Sequence, residues 1–188
     1  MKKAILYCAL VVSVMLCIGC STTTSGSGDS DARRAALNSG ADAALSNLYR
    51  QVNGSEQLVN NARGVLVFPS VVGAGLVFGA SSGEGVLRKG GRTVSFHRTT
   101  SGSWGLQAGA QSTAVFLLFM TADALARFES SEGWAVGADA TVTLVSVGAN
   151  AQVSTDTAQQ PVIGFVLSNR GLMAGITLSG TRITRMNP

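Results

Sequence analysis

Four cations crowd one short stretch of the chain: Arg88, Lys89, Arg92 and Arg98, with Gly90 and Gly91 between the second and the third. An arginine guanidinium is a planar fork that matches the oxygens of a phosphate, and a lysine adds a mobile point charge. The chemistry open to such a set is anion recognition. A solvated hairpin tip is the other reading of the same residues. Catalysis finds no comparable constellation. Gly79-Ala80-Ser81-Ser82-Gly83 has the G-x-S-x-G spacing of a nucleophile elbow. That elbow needs a helix after the serine and a later acid and histidine. Here a strand pattern follows, and no aspartate stands between Ser81 and His97, the single histidine. Gly73, Gly75 and Gly79 are spaced G-x-G-x-x-x-G with no helix opening behind them, so a dinucleotide would find no helix N-terminus. His97 has no second His, Cys or acid at ligand spacing, so no metal site is expected. It reads as a strand residue with a polar partner. No catalytic residue and no cofactor is expected.

The elements that must position these cations are strands. Val86–Arg88 and Thr93–Arg98 flank Lys89-Gly90-Gly91-Arg92, and Gly-Gly is a strong hairpin turn. Upstream lies the stretch around which the rest is organised, Gly64 to Gly85. Val65–Phe68 reads as a buried strand, Pro69 as a bend, and Val71–Phe78 as a second, strongly twisted strand, with a further turn at Gly83 and Gly85. Gly75 and Gly79 read as places where backbones approach closely or φ is positive. Ala32 to Val52 is the clearest helix: Ala41, Ala44, Leu45, Leu48 and Val52 recur at steps of three and four and make one apolar face. That face fits packing on a sheet; peeling off onto a membrane surface is the alternative. Gly54 stops the helix, and Glu56 to Ala62 is a second, short one. Downstream, Trp104–Gln111, Ala114–Met120, Val136–Leu144, Val147–Val153, Val162–Leu167, Leu172–Leu178 and Thr181–Arg185 read as strands, with a short helix from Thr121 to Phe128. Asp139, between glycine-rich strands, reads as a buried polar brace.

The N-terminus is a targeting segment. Lys2 and Lys3 precede an apolar run from Ala4 to Ile18 that ends in Gly19-Cys20. A secretory leader ending in small residues and a cysteine is the lipoprotein pattern. The position three before the acylated cysteine is usually Leu and is Cys17 here. An uncleaved N-terminal membrane helix is the alternative, for which the run is short. Residues 1–19 are therefore read as a signal peptide. Cys20 is read as the acylated N-terminus, 20–31 as a Ser/Thr/Gly tether, and 32–188 as one domain. Ser21 in place of an aspartate after the cysteine resembles lipoproteins exported to the outer membrane. Cys8 and Cys17 leave with the leader, so no disulfide is expected. The formal net charge of +4 over 188 residues is too small for a nucleic-acid partner.

The order, helices first and then hairpin-linked strands, argues an α+β fold. N-terminal amphipathic helices would pack on a glycine-rich, mostly antiparallel, coiled sheet or barrel of about nine to ten strands. The blocks ARGVLVFPSVVGAGLVFG, GEG, FHRTTSGSWGLQAGAQS, FLLFMT, GWAVGADATVTLVSVGA and GFVLSNRGLMAGITLSGTRITR together resemble the SYLF-domain family, from about Ala32 to Arg185. The resemblance implies binding of phosphoinositides and other acidic phospholipids, and in some fungal members binding and bundling of actin. Bacterial members are commonly secreted proteins or lipoproteins. Members often carry a lysine in the bend after the first strand; here that position is Gly73. The expected function is a non-catalytic one. An outer-membrane, periplasm-facing lipoprotein, held by the Cys20 lipid, would bind acidic phospholipid headgroups through Arg88, Lys89, Arg92 and Arg98. The alternative is an envelope scaffold or protein-interaction module in which lipid is only the anchor.

Overall fold

The computed structural model of the chain describes residues 27–75, 78–104, 111–145, 159–168, 171–172 and 178–188. The leader, Cys20, the first part of the tether and the expected strand Val147–Val153 lie outside these residues. So do most of Trp104–Gln111 and most of Leu172–Leu178. Three helices are described: α1 (Ser27–Gln51), α2 (Ser55–Asn61) and α3 (Ala122–Ser130). Helix α1 begins five residues before its expected start at Ala32, within the stretch read as tether, with Asp29 in its first turn, where a carboxylate suits the helix dipole. Gly54, at φ 82°, sits in the left-handed region and separates α1 from α2.

The strands are β1 (Gly64–Gly75), β2 (Phe78–Lys89), β3 (Arg92–Trp104), β4 (Gln111–Phe119), β5 (Trp134–Ala135), β6 (Thr143–Leu144), β7 (Val162–Ser168), β8 (Gly171–Leu172) and β9 (Arg182–Met186). They form one sheet in the order β5-β9-β3-β2-β1-β4-β7-β6, with β8 on β7. All pairs are antiparallel except β6 on β7. The two ends of this order do not pair among the described residues, so the sheet there is open. The α+β class and the mostly antiparallel sheet read from the sequence are thus observed.

Alternation along the central strands divides the core between two faces. On one, Val65, Val67, Val86, Phe116, Leu118, Ile163 and Phe165 meet Ala41, Leu45, Leu48 and Val52 of α1 and Leu58 of α2. On the other, Leu66, Phe68, Leu87, Leu117 and Phe119 meet Leu125 and Phe128 of α3, with Trp134 and Ile183. A strand covered on both faces needs apolar residues at successive positions, which is why Val65–Phe68 and Val115–Phe119 are unbroken apolar runs. All of the latter are at most 8% exposed.

The hairpins differ from the sequence reading in one place. Pro69 and Ser70 form a bulge within β1, not a break between two strands. The register slips by one residue against both β2 and β4 at this point. Proline has no amide hydrogen to give the ladder, so it is accommodated where the ladder is interrupted. The expected turn at Gly83 and Gly85 is absent: β2 runs straight through both. A Cβ on Gly85 would overlap the Val67 carbonyl and the Phe68 ring, and one on Gly83 would fall 2.8 Å from the Ser70 carbonyl oxygen. Those glycines serve close approach to the bulge, not chain reversal. The reversal instead joins Gly75 to Gly79, which are register partners.

A second difference lies at Trp134–Leu144. Only β5 and β6 form there. Gly137, at φ 93°, and the Gly137 N–H donating to the Ala140 carbonyl make a turn between them. Asp139 is exposed and accepts a hydrogen bond from the Ala135 amide at 2.6 Å. It caps a turn and is not the buried brace its neighbours suggested.

Candidate functional site

The β2–β3 hairpin places the four cations as follows. Gly90 and Gly91, at φ 53° and 78°, make the expected tight turn, with positive φ at both central positions. Arg88 and Lys89 are neighbours on a strand, so they leave the sheet on opposite faces. Arg88 points to the α1 face. Its guanidinium donates to the Asp42 carboxylate and, at 3.0 Å, to the Asn38 carbonyl. Thr93, its register partner, donates to the Asn38 side chain. Lys89 points to the α3 face and donates to Glu129 at 2.7 Å. Arg92 is exposed at the turn and makes no ion pair among the described residues. Arg98 lies further along β3, opposite Glu84, and donates to it at 2.8 Å. The hairpin therefore puts Arg88 on the α1 face, Lys89 and its register partner Arg92 on the other face, and leaves Arg98 apart.

Glu84 also accepts both ends of the Arg33 guanidinium from the start of α1. Burial raises the Glu84 carboxyl, but hydrogen bonds from Arg98 and Arg33 outweigh it and hold the group below its ordinary value. This carboxylate stays charged and pins the N-terminal part of α1 to β2.

Arg88 differs from the other three. Its side chain is 12% exposed, whereas its acidic partner Asp42 is 67% exposed. Its Nε is buried and has no acceptor among the described residues. It borders a groove of about 320 Å³ between α1, the end of α2 and the hairpin turn. Leu45, Val59, Ala62 and Val65 line the groove with apolar surface, and Ser46, Tyr49 and Asn60 add polar groups. Burial pushes the Tyr49 hydroxyl above its ordinary value, Glu56 adds to this and Arg88 opposes it. Tyr49 is therefore a neutral donor at physiological pH. The sequence reading named Arg88 but missed Asp42, Asn38 and Tyr49. The signal for them was the spacing of Asp42, Leu45, Ser46 and Tyr49, which puts all four on adjoining stripes of one helix.

His97 is not part of this site. It is 6% exposed on the α3 face, bonded to the Ser95 hydroxyl at 2.8 Å and 5.0 Å from the Phe128 ring centre. Burial first, and the Arg185 charge second, lower its pKa to about 4 against the opposing pull of Glu129. This is the polar partner expected for it. Among the described residues, no three His, Cys, Asp or Glu side chains gather as a metal site. Among the same residues, no helix is long and apolar enough to cross a membrane. Cys20 lies outside the described residues.

Residues 100–187 match the family Ysc84, described as Las17-binding protein actin regulator. No curated protein matches the chain. The matched stretch runs from the end of β3 to β9 and includes α3. The α1 face, the groove and all four hairpin cations precede it. Over residues 100–187, this match supports the resemblance to the SYLF-domain (Ysc84) family.

Proposed function

We propose that this chain is a lipoprotein whose SYLF domain binds acidic phospholipid headgroups without catalysing a reaction. Cys20, at the end of an exported leader, carries the acyl anchor, and the outer membrane, facing the periplasm, is its destination. The observation that carries the binding reading is the state of Arg88. A largely buried guanidinium is held at the rim of an open groove, and the carboxylate opposite it is mostly in water. Water competes for the mostly exposed Asp42 carboxylate, so a phosphate can take its place on the guanidinium. A phosphate would add the bidentate geometry that a guanidinium favours. Arg92, exposed beside the turn on the opposite face of the sheet, adds a second cation to the same end of the hairpin. Each cation near an anionic surface contributes about 1 kcal/mol, and the attraction decays within a Debye length. Binding through this site is weak alone, and the Cys20 anchor makes it effective by raising the local concentration.

The test is flotation of the full chain carrying Cys20→Ala with neutral and with anionic vesicles. A preference for anionic vesicles that falls with salt is expected. Equal partition at low salt would remove the lipid reading. A second reading, an envelope scaffold or protein-interaction module, is favoured by one feature. Lys89 and Arg98 are already committed to Glu129 and Glu84, so the hairpin presents fewer free charges than its sequence suggests.

A further inference from the structure

Resting on the reading of Arg88 as an anion site, we infer that the groove beside it takes one hydrocarbon chain joined to that anion. The ligand class is a single-chain anionic amphiphile, with an oxyanion head on Arg88 and an alkyl chain along α1. Three observations support this. First, apolar surface runs on from the ion pair. Asp42 and Arg88 meet at one point of α1, and Tyr49 stands seven residues further on, about 10 Å along the axis at 1.5 Å per residue. Between them the wall is Leu45 and Ser46 of α1, faced by Val59, Asn60, Ala62 and Val65.

Second, the size is selective. A volume of about 320 Å³ is at the lower end of ligand clefts, roughly 300–1,000 Å³. Spread over that length, it has the width of one chain and not of the two carried by a phospholipid. A headgroup alone would leave the apolar wall wet, whereas an alkyl chain would cover it. Third, the unpartnered Nε of Arg88 is a buried donor whose cost an incoming oxyanion can relieve once Asp42 yields. The two glycines of the turn carry no side chain over the lip, where a Cβ would meet nothing within 4 Å. A chain can thus enter from solvent.

The experiment is titration calorimetry on the full chain with Cys20→Ala, so that no covalent lipid competes. The probes are dodecanoate and dodecyl phosphate below their micellar concentrations. Butyl phosphate, inorganic phosphate and dodecanol are the comparators. Both dodecyl anions are expected to bind, and the tighter one identifies the head as carboxylate or phosphate. Affinity should rise with chain length by up to about fourfold per buried methylene. Arg88→Gln should weaken binding at least tenfold. Ser46→Phe, a change at an exposed lining position, should block the chain while leaving the fold intact. Inorganic phosphate binding as tightly as dodecyl phosphate would overturn the inference and leave headgroup recognition standing. Dodecanol binding as tightly as the anions would overturn it from the other side, as would unchanged binding in both variants. Tight binding of the amphiphiles without any preference for anionic vesicles would sink the membrane-surface reading and leave this one intact.

Discussion

Gly85 of β2 lies directly against the Val67 carbonyl of β1, so close that any side chain at position 85 would overlap that oxygen. The contact lies beside the Pro69–Ser70 bulge, where the register of β1 on β2 slips by one residue. Gly85→Ala should therefore destabilise the fold by about 1–3 kcal/mol or more, as overpacking does. Gly102, on exposed β3 backbone with nothing within 4 Å, is the control. Gly102→Ala should stay within about 0.5 kcal/mol of wild type. Urea unfolding of the two variants checks the pair, and equal losses would contradict the packing described at the bulge.

Phe119 joins α3 to the sheet. It is fully buried and stands 4.8 Å from the Phe128 ring centre and 6.0 Å from that of Trp134. Phe119→Ala should cost about 3–5 kcal/mol, again read by denaturant unfolding. A loss below about 1 kcal/mol would place this residue outside the core.

His97 links stability to pH. Its folded-state value, lowered by burial to about 4, lies below the ordinary 6.5 of the unfolded chain. Between those values the unfolded state binds a proton that the folded state refuses, so stability rises with pH. The contribution is complete above about 6.5 and is lost as pH falls toward 4. Melting temperatures from pH 4 to 8 should show this slope, and His97→Leu should flatten it. An unchanged slope in the variant would assign the effect to other groups.

The sequence made the layers legible because both signals are local. The three- and four-residue spacing of Ala41, Leu45, Leu48 and Val52 names the face of α1, and unbroken runs such as Val115–Phe119 name strands covered twice. It misread Gly83 and Gly85 because a glycine permits a turn and a close approach alike. Only the register across the bulge separates the two. The Gly90–Gly91 turn was legible because two adjacent glycines between strand patterns allow the positive φ that a two-residue hairpin turn needs at both central positions. The cations were legible as residues but not as charges. Asp42, Glu84 and Glu129 reach them from a helix, a neighbouring strand and another helix. Such long-range partners leave no periodic trace.

The anchor is tested by acylation. With Cys20→Ala the chain should incorporate no labelled fatty acid and should leave the membrane fraction. A variant that still fractionates with outer membrane as wild type does would contradict the lipoprotein assignment.

The central claim is that Arg88 is an anion site occupied at rest by Asp42, and two opposed substitutions test it most directly. Co-flotation with anionic vesicles at low salt is measured for Asp42→Asn and Arg88→Gln, each with Cys20→Ala. Removing the resident carboxylate should strengthen binding about two- to fivefold, the range that an exposed ion pair of up to about 1 kcal/mol allows. Removing the guanidinium should weaken it below wild type. Effects of the same sign in both variants, or none in either, would contradict the account.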